Sequence, residues 1–254
     1  MSQMGVFTLK NLLLSIVILA FIIGLSQKPA HAQGDLETWC IAQGQIWDET
    51  LSKCTINGTA ILNGVLTLIT SEHIEINDGG TLVNNGTIEN DGDITILPIG
   101  VIDNYGTFNG EIDNYGIIYN NGGYILSNEF LFNEGSIFNY IGGIIVNTNN
   151  VYNCSSCTLL NDGSIYNRQA FNNIGTITNN GVIANYAYFE NNLAGILNNE
   201  GNIYNYLSFE NNSGIINNDG FFNNYCPGFF VGNLPVGNPI VYFDYCAYIP
   251  LIER

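Results

Sequence analysis

The sequence predicts an all-β fold, a single-stranded parallel β-helix with about 18–23 residues per coil and disulfide-bonded end caps. Three observations carry this prediction. A six-residue phrase, Gly-x-Ile-x-Asn-x, recurs between Gly80 and Tyr225, as in Gly86 Thr Ile Glu Asn Asp, Gly163 Ser Ile Tyr Asn Arg and Gly201 Asn Ile Tyr Asn Tyr. The phrases group in threes that begin near Gly80, Gly100, Gly123, Gly143, Gly163, Gly181, Gly201 and Gly220, spaced 20, 23, 20, 20, 18, 20 and 19 residues apart. A repeat of that length is the mark of a solenoid whose units stack. Asparagine also fills the fifth position in an almost unbroken series, from Asn147, Asn153 and Asn161 through Asn211, Asn218 and Asn224.

Side chains alternate faces along a strand, so the first, third and fifth residues of a phrase share one side. The third position therefore specifies an apolar interior: Leu159, Ile165, Phe171, Ile177, Ile183, Phe189, Leu197, Ile203, Phe209, Ile216 and Phe222. Three such side chains per coil fall short of the cost of ordering the coil's backbone. The inward asparagines are expected to contribute the rest by hydrogen bonding from coil to coil, in register, about 4.8 Å apart. The sixth residue and the next Gly form the corner, where Asn, Asp and Gly tolerate left-handed backbone. Handedness stays open at this point: the six-residue phrase is similar to that of left-handed hexapeptide coils, while irregular coil lengths and the Asn row favour right-handed winding.

In chain order, residues 1–32 read as a signal peptide, with Lys10, an apolar run from Leu12 to Leu25 and the cleavage pattern Ala30 His31 Ala32. That run is too short to span a bilayer comfortably, so no stable membrane insertion is expected once it is removed. The mature chain keeps three basic residues, Lys53, Arg168 and Arg254, against all 22 acidic ones, a net charge of 3 − 22 = −19. Such a surface repels nucleic acid, which is excluded as a partner, and favours cations.

Six cysteines in an exported chain read as three disulfides, and sequence proximity suggests Cys40–Cys54, Cys154–Cys157 and Cys226–Cys246. Residues 33–58 form an expected N-terminal cap, because a solenoid end left bare templates aggregation. Residues 59–225 form the β-helix, opening with an irregular coil over 59–79. Residues 226–254, with four prolines from Pro227 to Pro250, are expected to end the ladder and cap it. His73 lacks a second imidazole and reads as a surface residue. The Cys154–Cys157 segment reads as an extruded structural loop rather than a redox motif.

Two outward rows are candidates for function. Tyr186, Tyr206 and Tyr225 should stack on consecutive coils, with Tyr166 and Tyr204 nearby, giving a surface for a sugar ring or another protein; mutual packing of the rings is the plainer alternative. Asp162, Asn180, Glu200 and Asp219 should form a second row, and Glu190 and Glu210 a stacked pair, where Ca²⁺ would relieve repulsion. Solvated, screened carboxylates are the plainer alternative there. No cofactor is required by the pattern, and Ca²⁺ is the one cation it suggests. Polysaccharide-cleaving β-helices need grouped carboxylates with cations. Asp91, Asp93, Asp103 and Asp113 supply acids, but Arg168 is the sole cation in the array, so no catalytic residues are assigned. Sequons at Asn57, Asn85, Asn153 and Asn211 permit glycosylation, with Asn211 expected to point inward and be blocked.

The runs Leu82 Val Asn Asn Gly Thr Ile Glu Asn Asp Gly and Gly175 Thr Ile Thr Asn Asn Gly resemble the Asn/Gly-rich, pectin-lyase-like β-helical regions of secreted microbial envelope proteins and hyphal cell-wall adhesins. The resemblance covers about residues 59–225. The Cys40–Cys54 segment with Trp47 Asp48 resembles a short cap that precedes such repeats. It implies display or adhesion and brings no catalytic residues. The expectation is a secreted, non-catalytic extracellular or cell-surface protein that binds polysaccharide or a surface protein, or serves as an envelope component. The alternative is a carbohydrate-binding or carbohydrate-active protein on the same scaffold.

Overall fold

The computed structural model describes residues 36–243. The expected signal peptide, residues 244–254 of the expected C-terminal cap and Cys246 lie outside them. A short helix α1 (Leu36–Ala42) precedes 31 strands, almost all of four residues, beginning with β1 (Ile46–Asp48), β2 (Lys53–Ile56), β3 (Thr59–Leu62) and β4 (Val65–Leu68). They fall into three sheets of 11, 10 and 10 strands, in which strands from β2 onward pair with those three before and three after, while β1 pairs with β2. Three strands per coil in three parallel sheets make a parallel β-solenoid of about ten turns. The sheets containing β2, β3 and β4 are called here the first, second and third faces.

Within each strand the burial pattern is outward, inward, outward, inward, as in Ser164–Asn167 and Thr176–Asn179. The first inward position carries the aliphatic or Phe of the phrase, and Phe171, Phe189 and Phe209 stack along it at 4.9 and 4.5 Å between ring centroids. The second inward position carries Asn, which is fully buried at residue after residue.

These asparagines form three head-to-tail ladders. On the second face Asn84 Nδ2 donates to Asn104 Oδ1 at 2.7 Å, Asn104 to Asn120 at 2.8 Å, and the series continues through Asn139, Asn161, Asn179 and Asn199 to Asn218. The first face runs from Asn114 to Asn211 and the third from Asn147 to Asn224. Every donor points toward the C-terminus, so the amide dipoles align and polarise one another. Each ladder's first carbonyl has no amide below it and accepts a corner N–H instead, from Gly86, Gly116 and Asn149 respectively. Each last amide donates to a backbone carbonyl, of Asn238, Asn233 and Gly228. No end of a buried ladder is left unsatisfied, as burial of amides demands.

The repeat's glycines serve a different purpose from the one expected. Among the glycines of the described residues, left-handed backbone is confined to Gly44, Gly79, Gly110, Gly122, Gly142, Gly232 and Gly237. The phrase glycines instead sit where one corner presses on the coil below. A Cβ on Gly181 would lie 2.1 Å from the carbonyl oxygen of Gly163, and one on Gly201 would lie 2.2 Å from that of Gly181. Gly is needed there for approach, not for torsion.

The solenoid is longer than expected at both ends. β2 already pairs in parallel with β5 (His73–Ile76), so coiling begins at Lys53 rather than at 59. Residues 59–79 are regular too; their phrase is hidden because the second inward position holds Ile56, Leu62, Leu68 and Ile76, aliphatic instead of Asn. At the other end β29 (Phe229–Gly232), β30 (Val236–Gly237) and β31 (Ile240–Phe243) pair in parallel with the coil before. The ladder does not stop at Cys226. Pro227, Pro235 and Pro239 fall in the corners between these strands, where no ladder N–H is lost.

The N-terminal end is covered by α1 and the antiparallel β1–β2 hairpin, tied by the Cys40–Cys54 disulfide. Trp39 and Trp47 pack against the core from this cap. Two glutamines finish the first coil's exposed end: Gln43 Oε1 accepts from Ile61 N of β3 at 2.8 Å, and Gln45 Oε1 accepts from Asn57 N, in the corner before β3, at 3.1 Å. Side-chain amides thus occupy backbone donors that an edge strand would offer to another chain. Cys154–Cys157 closes a corner. Cys226 is also disulfide-bonded, while its expected partner Cys246 is outside the described residues.

Candidate functional site: a ring column on one corner

The residue after each ladder asparagine occupies a corner, and its N–H donates to the ladder residue one coil earlier. On the corner between the third and first faces these residues are Arg168, Tyr186 and Tyr206, whose N–H groups meet the carbonyls of Asn147, Asn167 and Asn185 at 2.8, 2.7 and 2.8 Å. Identical anchoring spaces the side chains by one strand separation. The Tyr186 and Tyr206 rings stack at 4.8 Å and 2°, and Tyr206 and Tyr225 at 5.1 Å and 12°.

The column is longer than the sequence suggested. Phe243 stacks on Tyr225 at 4.8 Å and 11°. It was missed because residues beyond 225 read as a cap, although the intervals 186–206, 206–225 and 225–243 are all of coil length. Tyr204 touches the column edgewise, 6.2 Å from Tyr225 with the rings tilted by 46°. Tyr166 stands apart from Tyr204, since Ala184 occupies the register position between them. The exposed Arg168 occupies the column's corner position one coil before Tyr186.

Face-to-face stacking has a chemical consequence. The inner rings cover one another's faces, so the column offers edges and a row of hydroxyls, not ring faces. Burial, together with the neighbouring phenols Tyr186, Tyr225 and Tyr204, raises the pKa of Tyr206. Its hydroxyl therefore remains a hydrogen-bond donor at neutral pH.

The second candidate row lies on the corner between the second and third faces. Asp162, Asn180, Glu200 and Asp219 hold equivalent positions, each N–H meeting a ladder carbonyl at 2.8 Å. Asn180 Nδ2 donates to Asp162 Oδ1 at 2.7 Å, which leaves Glu200 and Asp219 as the adjacent acidic pair. Glu190 and Glu210 are direct register partners on the first face. Asn212 Nδ2 lies 2.8 Å from Glu210 Oε2 and 3.4 Å from Glu190 Oε1, so an amide sits where a cation was expected. Among the described residues, no three or more acidic, His or Cys side chains group in a way that could hold a metal.

The four aspartates weighed for catalysis do not converge. Asp93 pairs with His73 at 2.9 Å on the first face. Asp103 is on the second, accepting from Tyr105 at 3.2 Å and from Asn121. Asp91 lies at a corner. Asp113 joins Asp93, Glu111, Glu129 and Glu134 in an acidic patch, where burial first and then neighbouring carboxylates raise the pKa values of Glu111 and Asp113. Of the sequons, Asn153 joins Asn211 as a fully buried ladder member, so the expectation that it is open to glycosylation is corrected; Asn57 and Asn85 are exposed.

A hollow of about 600 Å³, lined by Ile41, Ile46, Trp47 and Asp48, is an open dish on the N-terminal cap, away from both rows. No helix among the described residues is long and apolar enough to cross a membrane. No protein-family model matches the chain, and neither a curated protein nor a solved structure matches it.

Proposed function

We propose that this protein is a secreted, non-catalytic binding or structural component of an extracellular surface, acting in adhesion or in an envelope. The observation that carries this reading is the solvent-facing ring column with Arg168 at one end, held on a scaffold that three internal amide ladders make rigid. A surface of this kind gains from a long, stiff, repetitive support, because binding then costs little further ordering of the protein. The disulfides fit an oxidising compartment. The partner is an extracellular polysaccharide or a surface protein.

The test is incubation of the mature protein with insoluble polysaccharides, scoring both retention on the solid and release of soluble fragments. Retention without fragments supports the proposal. Released fragments refute the non-catalytic reading.

A further inference from the structure

The first face carries a groove whose chemistry differs from that of the ring column beside it. It has a volume of about 290 Å³ and is lined by Phe130, Tyr152, Ala170, Asn172, Tyr188 and Glu190, among others. Register explains why a groove exists there. The outer column of first positions runs Phe130, Asn150, Ala170, Tyr188, Ser208, and that of third positions runs Phe132, Tyr152, Asn172, Glu190, Glu210. Ala170 is the smallest residue in the stretch, and it leaves a gap between the aromatic groups on either side.

Ring faces are open here, in contrast to the corner column. Phe132 covers one face of Tyr152, with centroids 5.0 Å apart and planes within 8°, and the position on Tyr152's other side is Asn172. Tyr188 has only Ala170 and Ser208 as register neighbours, so no ring stacks on it from either adjacent strand.

The polar groups of the groove include both acceptors and the amide donors of Asn150 and Asn172. Asn172 Oδ1 is buried with no hydrogen-bond partner, an unpaired state that costs free energy until a donor is supplied. Glu190 contributes a carboxylate. The pKa of the Tyr188 hydroxyl is pushed up to about 12 by burial and by the nearby Glu210 and Glu190.

From this geometry we infer that the groove is a subsite for one neutral pyranose ring of a polysaccharide. A pyranose presents apolar C–H faces to aromatic rings and a rim of O–H donors to acceptors, and turning of the Asn172 amide about χ2 brings its oxygen to such a donor. The Glu190 carboxylate, with Glu210 as its register neighbour, disfavours an anionic sugar. A quaternary ammonium would suit the rings and Glu190 but has no hydrogen to give Asn172. This inference rests on the proposed extracellular binding role and names the ligand class for it.

The experiment uses the mature chain with neutral hexasaccharides of glucose, mannose and galactose, followed by saturation-transfer NMR and calorimetry, with tetramethylammonium as the competing probe. Ala170→Phe fills the groove while keeping every aromatic residue, and Tyr186→Ala with Tyr206→Ala removes the corner column instead. At least one hexasaccharide should bind, with affinity lowered tenfold or more by Ala170→Phe and by Asn172→Ala and changed less than threefold by the corner variant. Circular dichroism melts confirm that each variant is folded. Binding lost in the corner variant but kept in Ala170→Phe overturns the groove assignment while preserving the proposed role. Binding of tetramethylammonium and of no sugar overturns the saccharide assignment, and no binding by any hexasaccharide overturns it as well.

Discussion

Replacement of Asn179 by Ala removes one rung from the middle of the second-face ladder. Asn179 accepts from Asn161 at 2.7 Å and donates to Asn199 at 2.7 Å, with a longer contact to the carbonyl of Asn202 at 3.3 Å. Asn161 loses little, because its amide still reaches the carbonyl of Val182 at 3.0 Å. Asn199 Oδ1 is left buried without that donor, at a cost of about 1–3 kcal/mol. The vacated space adds a cavity term, for a total of about 2–4 kcal/mol. For a domain of this size a loss of about 3 kcal/mol lowers the thermal midpoint by about 6–12 °C. Asn198→Ala is the control, since Asn198 faces outward and only accepts from Asn217 at 2.8 Å; it should change stability by less than about 0.5 kcal/mol. Asn179→Asp sharpens the test. An ionised carboxylate there would face the oxygens of Asn199 and Asn202, so the fold favours its protonated form and raises its pKa above the unfolded value. That variant should be more stable at low pH and lose stability as pH rises through the raised value, whereas the Ala variant's deficit should not vary with pH. Thermal and urea unfolding followed by circular dichroism, at acid and neutral pH, decides the matter. Equal effects of Asn179→Ala and Asn198→Ala would refute the ladder as a source of stability.

Three further predictions are accessible to the same measurements. Gly181→Ala should destabilise by more than about 3 kcal/mol, since its Cβ would meet a backbone carbonyl at 2.1 Å that no rotamer can avoid. Leu193 holds a left-handed backbone, φ 51°, and is exposed, so Leu193→Gly should raise stability by about 0.5–1 kcal/mol. Glu111 and Asp113 have pKa values raised in the fold, so the stability they contribute is present at low pH and fades as pH rises through those values. Glu111→Gln should therefore make the protein more resistant to urea at pH 7 and flatten the pH dependence between about pH 4 and 7, read from urea midpoints across that range.

The phrase made the interior legible because two residues in each strand repeat on the same face, and a period of two within a period of about twenty admits few folds. The tyrosine column was legible for the same reason, as a sixth-position residue must recur on the same corner. What the sequence concealed has particular physical causes. The coil over residues 59–79 read as irregular, and its start at Lys53 was missed, because Ile56, Leu62, Leu68 and Ile76 fill the place of Asn, and both choices suit a buried position. The last coil escaped because proline marks a break in a strand but not in a corner. Turn propensity suggested torsional freedom for the phrase glycines, but the constraint is contact with a carbonyl 16–24 residues away, which no local rule contains. The groove on the first face depends on Ala170 lying between two aromatic positions of other coils, a relation visible only once each coil's length is known.

The central claim is that buried asparagine amides, joined head to tail, hold the coils together. Exchange of side-chain amide protons with solvent tests it most directly. Among the described residues twenty asparagines are buried, from Asn84 to Asn224, while Asn57, Asn63, Asn85, Asn212 and Asn217 are exposed. In ¹⁵N spectra recorded after transfer to D₂O, the Nδ2 signals of the buried set should persist for hours and those of the exposed set should vanish at once. Fast exchange of all asparagine side chains in a protein whose backbone amides remain protected would contradict the account.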